Sequence, residues 1–516
     1  MFEAVLRNGS EDAQLVEYHT EQNSKQLSTA VHSCENPHIM STGDLGGFSA
    51  RGLRRELGLR DLVLAQVLYV VGGGWVGVAA GIGPGQALTW AAAMLLFFFP
   101  MAAVVICLNR EMPLEGGLYV WAHRAFGSTI GFLTAWNLFI YSIMSAAAIL
   151  YEVPTGIAYL IGPSAAWIPE SRPNSLAMIA FIIAGIAFAA VRGLGIGRWI
   201  QNFGGLSVLV LYGLLFGLPV WAFLHHPAAR PVNLDGFALA MPRVNLHSLA
   251  LFGQMLFGAL CGLEYIAIFA GESRQPARNI GRSVWIASPI ICAMFILGTA
   301  SVMAFRGPAD KIDLIAPIPA TLRLALGPNG FGGLLAMGAI LLLQIRLLGA
   351  TSLTFNGLTR LPMAAGWDHL VPEWFTRLHP THRTPVNSII CAACLVFAVA
   401  FLAGLGVRAQ ETFQIITNAS TASYALAYLA MFSVPIAGLP ELRKGFPKWL
   451  KWVAGVGFCA TAFSLIISTY PIVDVAMPRV FAAKLIVTTM ITNGLGLGYL
   501  KLRSRPPQIA RPSNET

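Results

Sequence analysis

Two ionisable side chains stand inside long apolar runs: Glu264 in LFGQMLFGALCGLEYIAIFAG and Arg346 in ILLLQIRLLGATS. A charge among so many apolar neighbours is costly unless it is paired or solvated, so its state depends on what it faces. A carboxylate in that position can take up and release a proton as its surroundings change. An arginine there must find protein or water. Glu264, an anionic group on a ligand, a structural partner and a snorkelled interface are all open to it.

Glycines supply a second kind of chemistry. The run VLYVVGGGWVGVAAGIG, Val67 to Gly83, is interrupted by Gly72, Gly73 and Gly74. Each glycine costs a helix about 1 kcal/mol relative to alanine and leaves the main-chain amides unshielded. A carboxylate can approach such amides closely, and the half-helix that follows aims its positive end at the same anion. Small residues also let helices pack tightly, which is the alternative for any one cluster. Here a second interruption, around Phe257, Gly258, Cys261 and Gly262, occurs five apolar runs later. Two facing interruptions predict a ligand site in which carbonyls freed between Gly258 and Gly262 meet an ammonium. Trp75 would form one wall. Tyr141 and Ser145, one helical turn apart, are further candidates, as are Asn418 and Ser420, although polar glue between helices explains each of these more readily than ligand contact does.

These residues must be positioned by membrane helices. The 516-residue chain is 56% apolar and only 11% charged, far from the roughly 25% charge of soluble domains. Runs of about 20 apolar residues cross a hydrocarbon core. Twelve are expected, near 61–83, 87–109, 128–161, 175–191, 199–224, 248–270, 284–305, 331–356, 386–404, 411–435, 449–472 and 478–500. The third is long enough to need a tilt or a kink at Pro154. Most Lys and Arg fall on the side that holds both termini when the N-terminus is placed inside, which predicts cytoplasmic tails. The net charge of +10 reflects that topology and attraction to anionic lipid, with no nucleic-acid partner expected. The polar segment 1–55 reads as a disordered tail, and 501–516 as a second one. Cys391 and Cys394 form a CxxC inside an apolar run and read as packed thiols. No cluster has metal-ligand spacing and no phosphate-binding loop is present, so neither a metal, a cofactor nor an enzyme is expected. Energy must come from a gradient or from exchange.

Four separated elements carry a family resemblance. Asp61 and Leu62 lead to Gly72, Gly73, Gly74, Trp75 and Val76. Pro113, Gly116, Gly117 and Tyr119 are followed by Phe126, Gly127, Ala135 and Trp136. Gly262, Leu263 and Glu264 precede Glu272, Pro276, Arg278 and Ile280. Arg360, Ala364, Asp368, Leu370 and Pro372 are followed by Thr384 and Pro385. In order and spacing the chain resembles the amino acid-polyamine-organocation permeases. The resemblance implies an all-α, twelve-helix membrane protein of LeuT-like fold: two inverted five-helix repeats, 56–225 and 248–435, two additional helices over 449–500, and broken first and sixth helices. It implies a plasma-membrane permease for an amino acid or related amine, working by alternating access. It also implies proton sensing by Glu264, the role of the matching Glu in the arginine/agmatine antiporter branch.

Departures from the family pattern matter as well. The lysine of many proton-coupled relatives is absent from the fifth run, where Ser207 and Val208 stand. Thr351 and Ser352 could give oxygen ligands to sodium, but such hydroxyls usually bond to their own backbone. Gly258 replaces an aromatic gate, which predicts a roomier pocket. An uncoupled exchanger and an amino acid sensor that signals through its tail are the alternatives.

Overall fold

A computed structural model describes residues 57–112, 117–225, 232–305, 316–327, 329–363, 371–403, 409–472 and 477–503. The tails, and the motif residues Pro113, Gly116, Ala364, Asp368 and Leu370, lie outside the described residues. Among those described, regular structure is helical, apart from one isolated parallel bridge between Leu57 and Ser273.

The first apolar run forms two helices, α1 (Leu59–Val70) and α2 (Gly73–Ala80), bent by 43° at Val71 and Gly72. α3 (Gly83–Glu111) follows. α4 (Leu118–Phe126) is separated from α5 (Ser128–Ile161) by Gly127 at φ 86, a conformation only glycine adopts without strain. α5 runs unbroken through Pro154 for 34 residues, about 50 Å at 1.5 Å per residue, so it must tilt to fit a bilayer. α6 (Arg172–Arg192), α7 (Leu194–His225) and α8 (Leu246–Phe269) come next. They precede α9 (Pro276–Ala304), the short α10 (Pro317–Leu326) and α11 (Gly330–Arg360). The chain closes with α12 (Val386–Ala403), α13 (Ala409–Ala437), α14 (Leu450–Ile467) and α15 (Pro478–Arg503).

Among the described residues, ten helices are long and apolar enough to cross a membrane. The bent pair α1 and α2 makes an eleventh, and Val386–Leu402 is a shorter apolar helix. Each expected run therefore has a helix over it. Phe181, Trp285 and Phe331 are 82%, 74% and 81% exposed, which suits side chains whose solvent is lipid. The thiols of Cys391 and Cys394 are free, and Cys394 is exposed, so the second of this pair does not face a neighbouring helix as a packed thiol would.

The interior is built where α5, α7, α11 and α13 meet, with α1 against α7 and α9. Without a hydrophobic force between helices in lipid, close packing does the work. A Cβ on Gly204 of α7 would lie 2.9 Å from the Gly349 Cα of α11, and one on Gly205 would lie 2.9 Å from the Leu64 backbone of α1. Asp61 fixes the start of this contact: its carboxylate accepts from the Gly58 amide at 2.8 Å and from Asn202 Nδ2 at 2.7 Å. Backbone cannot yield as a side-chain tip can, so Gly204→Val should destabilise the fold by about 1–3 kcal/mol. A drop of several degrees in the melting temperature of detergent-purified protein is expected, and an unchanged melting temperature would refute the tight α7–α11 seam.

Candidate functional site

The two interruptions face each other. At the first, Val71 and Gly72 are extended and the Gly72 amide is already taken by the Val70 carbonyl at 3.0 Å. The amides available to an anion are therefore those that open α2, beginning at Gly73, because the first turn of a helix has no carbonyl behind it. At the second, α8 is α-helical over Leu246–Gly253, widens to a π-turn over Gln254–Ala259 and opens at Leu260 to Gly262. It resumes as a 3-10 helix over Leu263–Glu272. Gly262 sits at φ 118, with the Tyr69 ring where a Cβ would be. Its amide donates to the Tyr428 hydroxyl at 2.9 Å, and Gln66 Nε2 reaches the Leu263 carbonyl at 3.5 Å. The carbonyls of Phe257, Gly258 and Gly262 already accept from the Cys261 amide, the Cys261 thiol and the Tyr265 amide. The Phe257 carbonyl also accepts from the Leu260 amide, so it is the Gly258 and Gly262 carbonyls that keep a second lone pair for a ligand.

Trp75 joins the two interruptions. A Cβ at Gly258 would lie 2.6 Å from its Cη2, and a Cβ at Gly72 would lie 2.6 Å from its Cδ1. The indole thus occupies the space a side chain at 258 would fill, so the glycine there does not make the pocket roomier as expected. It makes room for Trp75.

One cavity is walled by Gly72, Gly74, Trp75, Gly258, Cys261 and the ring of Tyr141. Its free volume is about 120 Å³, where a single water needs about 10–15 Å³. A small solute fits. Ser145, Arg346, Asn418 and Ser420 also line this cavity. Other predicted residues sit behind the walls. Gly73 is packed near Ile318 and Leu343, and Phe257 is buried against Phe97, Tyr424 and Tyr428. Thr351 and Ser352 are fully buried away from the cavity, Thr351 donating to the Leu347 carbonyl at 2.8 Å and Ser352 accepting from Asn356 at 3.4 Å.

Glu264 is completely buried and does not line the cavity. Its carboxylate accepts hydrogen bonds from the hydroxyls of Tyr424 and Tyr428, both on α13. Tyr424 stacks on Tyr141, with ring centroids 3.7 Å apart, and Tyr141 accepts from Tyr69 at 3.0 Å. Tyr69 stacks on Tyr265, whose hydroxyl donates to the Thr354 carbonyl of α11 at 2.9 Å. Five tyrosines from α1, α5, α8 and α13 thus form a layer between the cavity and the buried carboxylate.

Arg346 does not pair with Glu264. Its Nη1 lies 3.9 Å from the Glu152 carboxylate of α5, and the two are 4% and 13% exposed. Glu152 was missed in the sequence, although it is an acid within an apolar run and the rule that singled out Glu264 applies to it equally. Gln254, Gln414, Thr417 and Thr421 also line the cavity and were missed, because single polar residues in helices carry no distinguishing spacing. Gln344 is buried against Gly156 and is no part of the walls.

Tyr428 serves both the freed Gly262 amide and the Glu264 carboxylate. Tyr428→Phe leaves the Gly262 amide unsatisfied in the interior and the carboxylate with Tyr424 as its remaining phenol, at a cost of roughly 1–3 kcal/mol for the unsatisfied group. A clear fall in melting temperature should follow, while Phe432→Leu one turn away should cost less. Equal melting temperatures for Tyr428→Phe and the unaltered protein would show that the phenol does not hold the break.

Comparison with known proteins adds an independent line. Residues 58–495 match the family described as amino acid permease. An uncharacterized transporter of Mycobacterium tuberculosis is 26% identical over 81% of this chain and 88% of its own length. The methylthioribose transporter of Bacillus subtilis is 22% identical over 77% and 83%. A branched-chain amino acid permease of the same organism is 23% identical over 65% and 72%. Such names indicate transport rather than enzymatic conversion. With its apolar helices and interrupted first run, the chain is an integral membrane transporter and belongs to the amino acid permease family of the amino acid-polyamine-organocation superfamily.

Proposed function

We propose that this permease carries an amino acid or related amine across the plasma membrane by alternating access, with uptake coupled to a proton. The observation that carries the reading is one cavity touching both helix interruptions, with a buried carboxylate one tyrosine layer behind it. In this reading the amides at the start of α2 hold the substrate carboxylate and the carbonyls around Gly258 to Gly262 hold the ammonium. The relatives' names include a methylthioribose transporter as well as a branched-chain amino acid permease, so the substrate class is read from the cavity.

Glu264 is the coupling group. Deprotonated, it is a strong acceptor for the Tyr424 and Tyr428 hydroxyls; protonated, it needs only one of them and can donate instead. Substrate contact with Tyr69 and Tyr141 would reach Tyr424 through the stacked rings and so bias the same equilibrium. The tyrosine layer is then the barrier that must open on one side. The architecture follows the family: twelve crossings, inverted repeats over 56–225 and 248–435, two further helices over 449–500, and cytoplasmic tails. Sodium at Thr351 and Ser352 is the weaker coupling choice, since the Thr351 hydroxyl is committed to its own helix.

Purified protein in liposomes, given radiolabelled amino acids and an imposed pH gradient, tests this. Accumulation should follow the pH gradient, survive sodium removal and be lost in Glu264→Gln, with counterflow exchange retained. Gradient-independent exchange that is identical in the two proteins would make the permease an uncoupled exchanger. Binding without flux would make it a sensor.

A further inference from the structure

Proposed coordination at the two interruptions uses the common head group of an amino acid and leaves the rest of the cavity unassigned. That remainder is polar in a specific way. On one wall stand Arg346 and Glu152, too far apart at 3.9 Å for a good N–H···O hydrogen bond. Among the described residues, Arg346 Nε and Nη1, both buried, have no hydrogen-bond partner. On α13 stand Gln414, with neither amide atom partnered among those residues, and Thr417, with its hydroxyl likewise unpartnered. Arg346 and Gln414 are 4% and 5% exposed, and both line the cavity. By contrast Gln254 and Asn418 satisfy each other at 3.0 Å, and Asn418 reaches the Ser468 carbonyl at 2.8 Å. The unpartnered groups are therefore a selected set within a wall whose other amides are matched.

Arg346 is also well placed relative to the head-group site. Leu343 is in contact range of Gly73, at 3.7 Å from where a Cβ would be, and Arg346 follows one turn later on the same face of α11. A side chain extending from a head group held at α2 runs toward the Arg346–Glu152 pair.

We propose that the substrate ends in a neutral carboxamide, so that the permease selects amino acids of the glutamine and asparagine class. A primary amide presents an acceptor and donors side by side. Its carbonyl accepts from the open guanidinium N–H groups of Arg346, and its NH₂ donates to Glu152 and to Gln414 Oε1. An acidic end would face the Glu152 carboxylate, and a basic end would face Arg346. An aliphatic end would bury every one of these groups unpaired, and a site built for hydrogen bonds rejects the analogue that lacks them more strongly than an apolar pocket rejects a size change.

The inference rests on the cavity being the transport site, and its test separates the two ideas. Liposomes holding the purified full-length chain are assayed for uptake of radiolabelled glutamine against unlabelled glutamine, asparagine, glutamate, lysine and leucine. Glutamine and asparagine should compete at least roughly tenfold better than the other three. In Gln414→Leu, and in the double variant Glu152→Gln with Arg346→Met, that ratio should fall toward one for leucine. Gln414→Leu removes an amide that has no partner and so should not lower the melting temperature; the double variant leaves no lone buried charge. Uptake with leucine, lysine or glutamate preferred overturns the inference while leaving the transport reading intact. So does an equal loss of glutamine and leucine uptake in the double variant, which would mean that the pair holds the α-carboxylate and α-ammonium instead. Absence of uptake and of binding for all five solutes overturns both.

Discussion

An interrupted helix survives in hydrocarbon only when every main-chain group it frees finds a partner. That constraint explains why the interior has this composition. The Gly262 amide, left over where α8 opens, is taken by a phenol from a different helix, and the Leu263 carbonyl is met by Gln66 of α1. Trp75 covers the glycines on both sides. The interruptions are thus closed by side chains from α1, α2 and α13, and the cavity is what remains after those partners are placed.

The same requirement keeps the cavity and the buried carboxylate apart. Glu264 is completely buried behind the tyrosine layer, so no ligand in the cavity touches it directly. Its partners Tyr424 and Tyr428 lie one turn apart on α13, which also presents Gln414, Thr417 and Asn418 to the cavity earlier along the same helix. One helix therefore faces the cavity along one stretch and the buried carboxylate along another. A small movement of α13 relative to α8 changes both environments together, with no need for a wire of contacts between them.

Much of this was legible in the sequence, and for physical reasons. Apolar length gives the helices, because a bilayer sets it, and three adjacent glycines in one run announce a break that the structure realises as a 43° bend. The charges Glu264 and Arg346 stand out because hydrocarbon penalises them. What the sequence hides is pairing across the fold. Arg346 finds Glu152, nearly 200 positions away, and Gly258 accommodates Trp75 from the other half of the chain. Glu264 lies in the same helix as the second break, yet burial behind Tyr424 and Tyr428 removes it from the cavity. Gln414 and Thr417 are single polar residues with no periodic signature, and only the cavity they line sets them apart.

The Arg346–Glu152 pair makes a final energetic point. Buried ion pairs are often neutral or unfavourable for stability relative to well-packed apolar residues of similar volume, by up to about 1–4 kcal/mol. Good hydrogen-bond geometry can offset that cost, but here the pair is separated by 3.9 Å and two guanidinium nitrogens are unpartnered among the described residues. Packing also offers no reason for charge at this place: α5 and α11 already lie against each other, with Gln344 of one on Gly156 of the other. A pair that is weak as glue and costly to bury is poorly explained by folding. Facing a cavity with room for a small solute, the same loose geometry leaves donors and an acceptor free to be completed by a ligand, which is the condition under which buried polar groups discriminate most sharply.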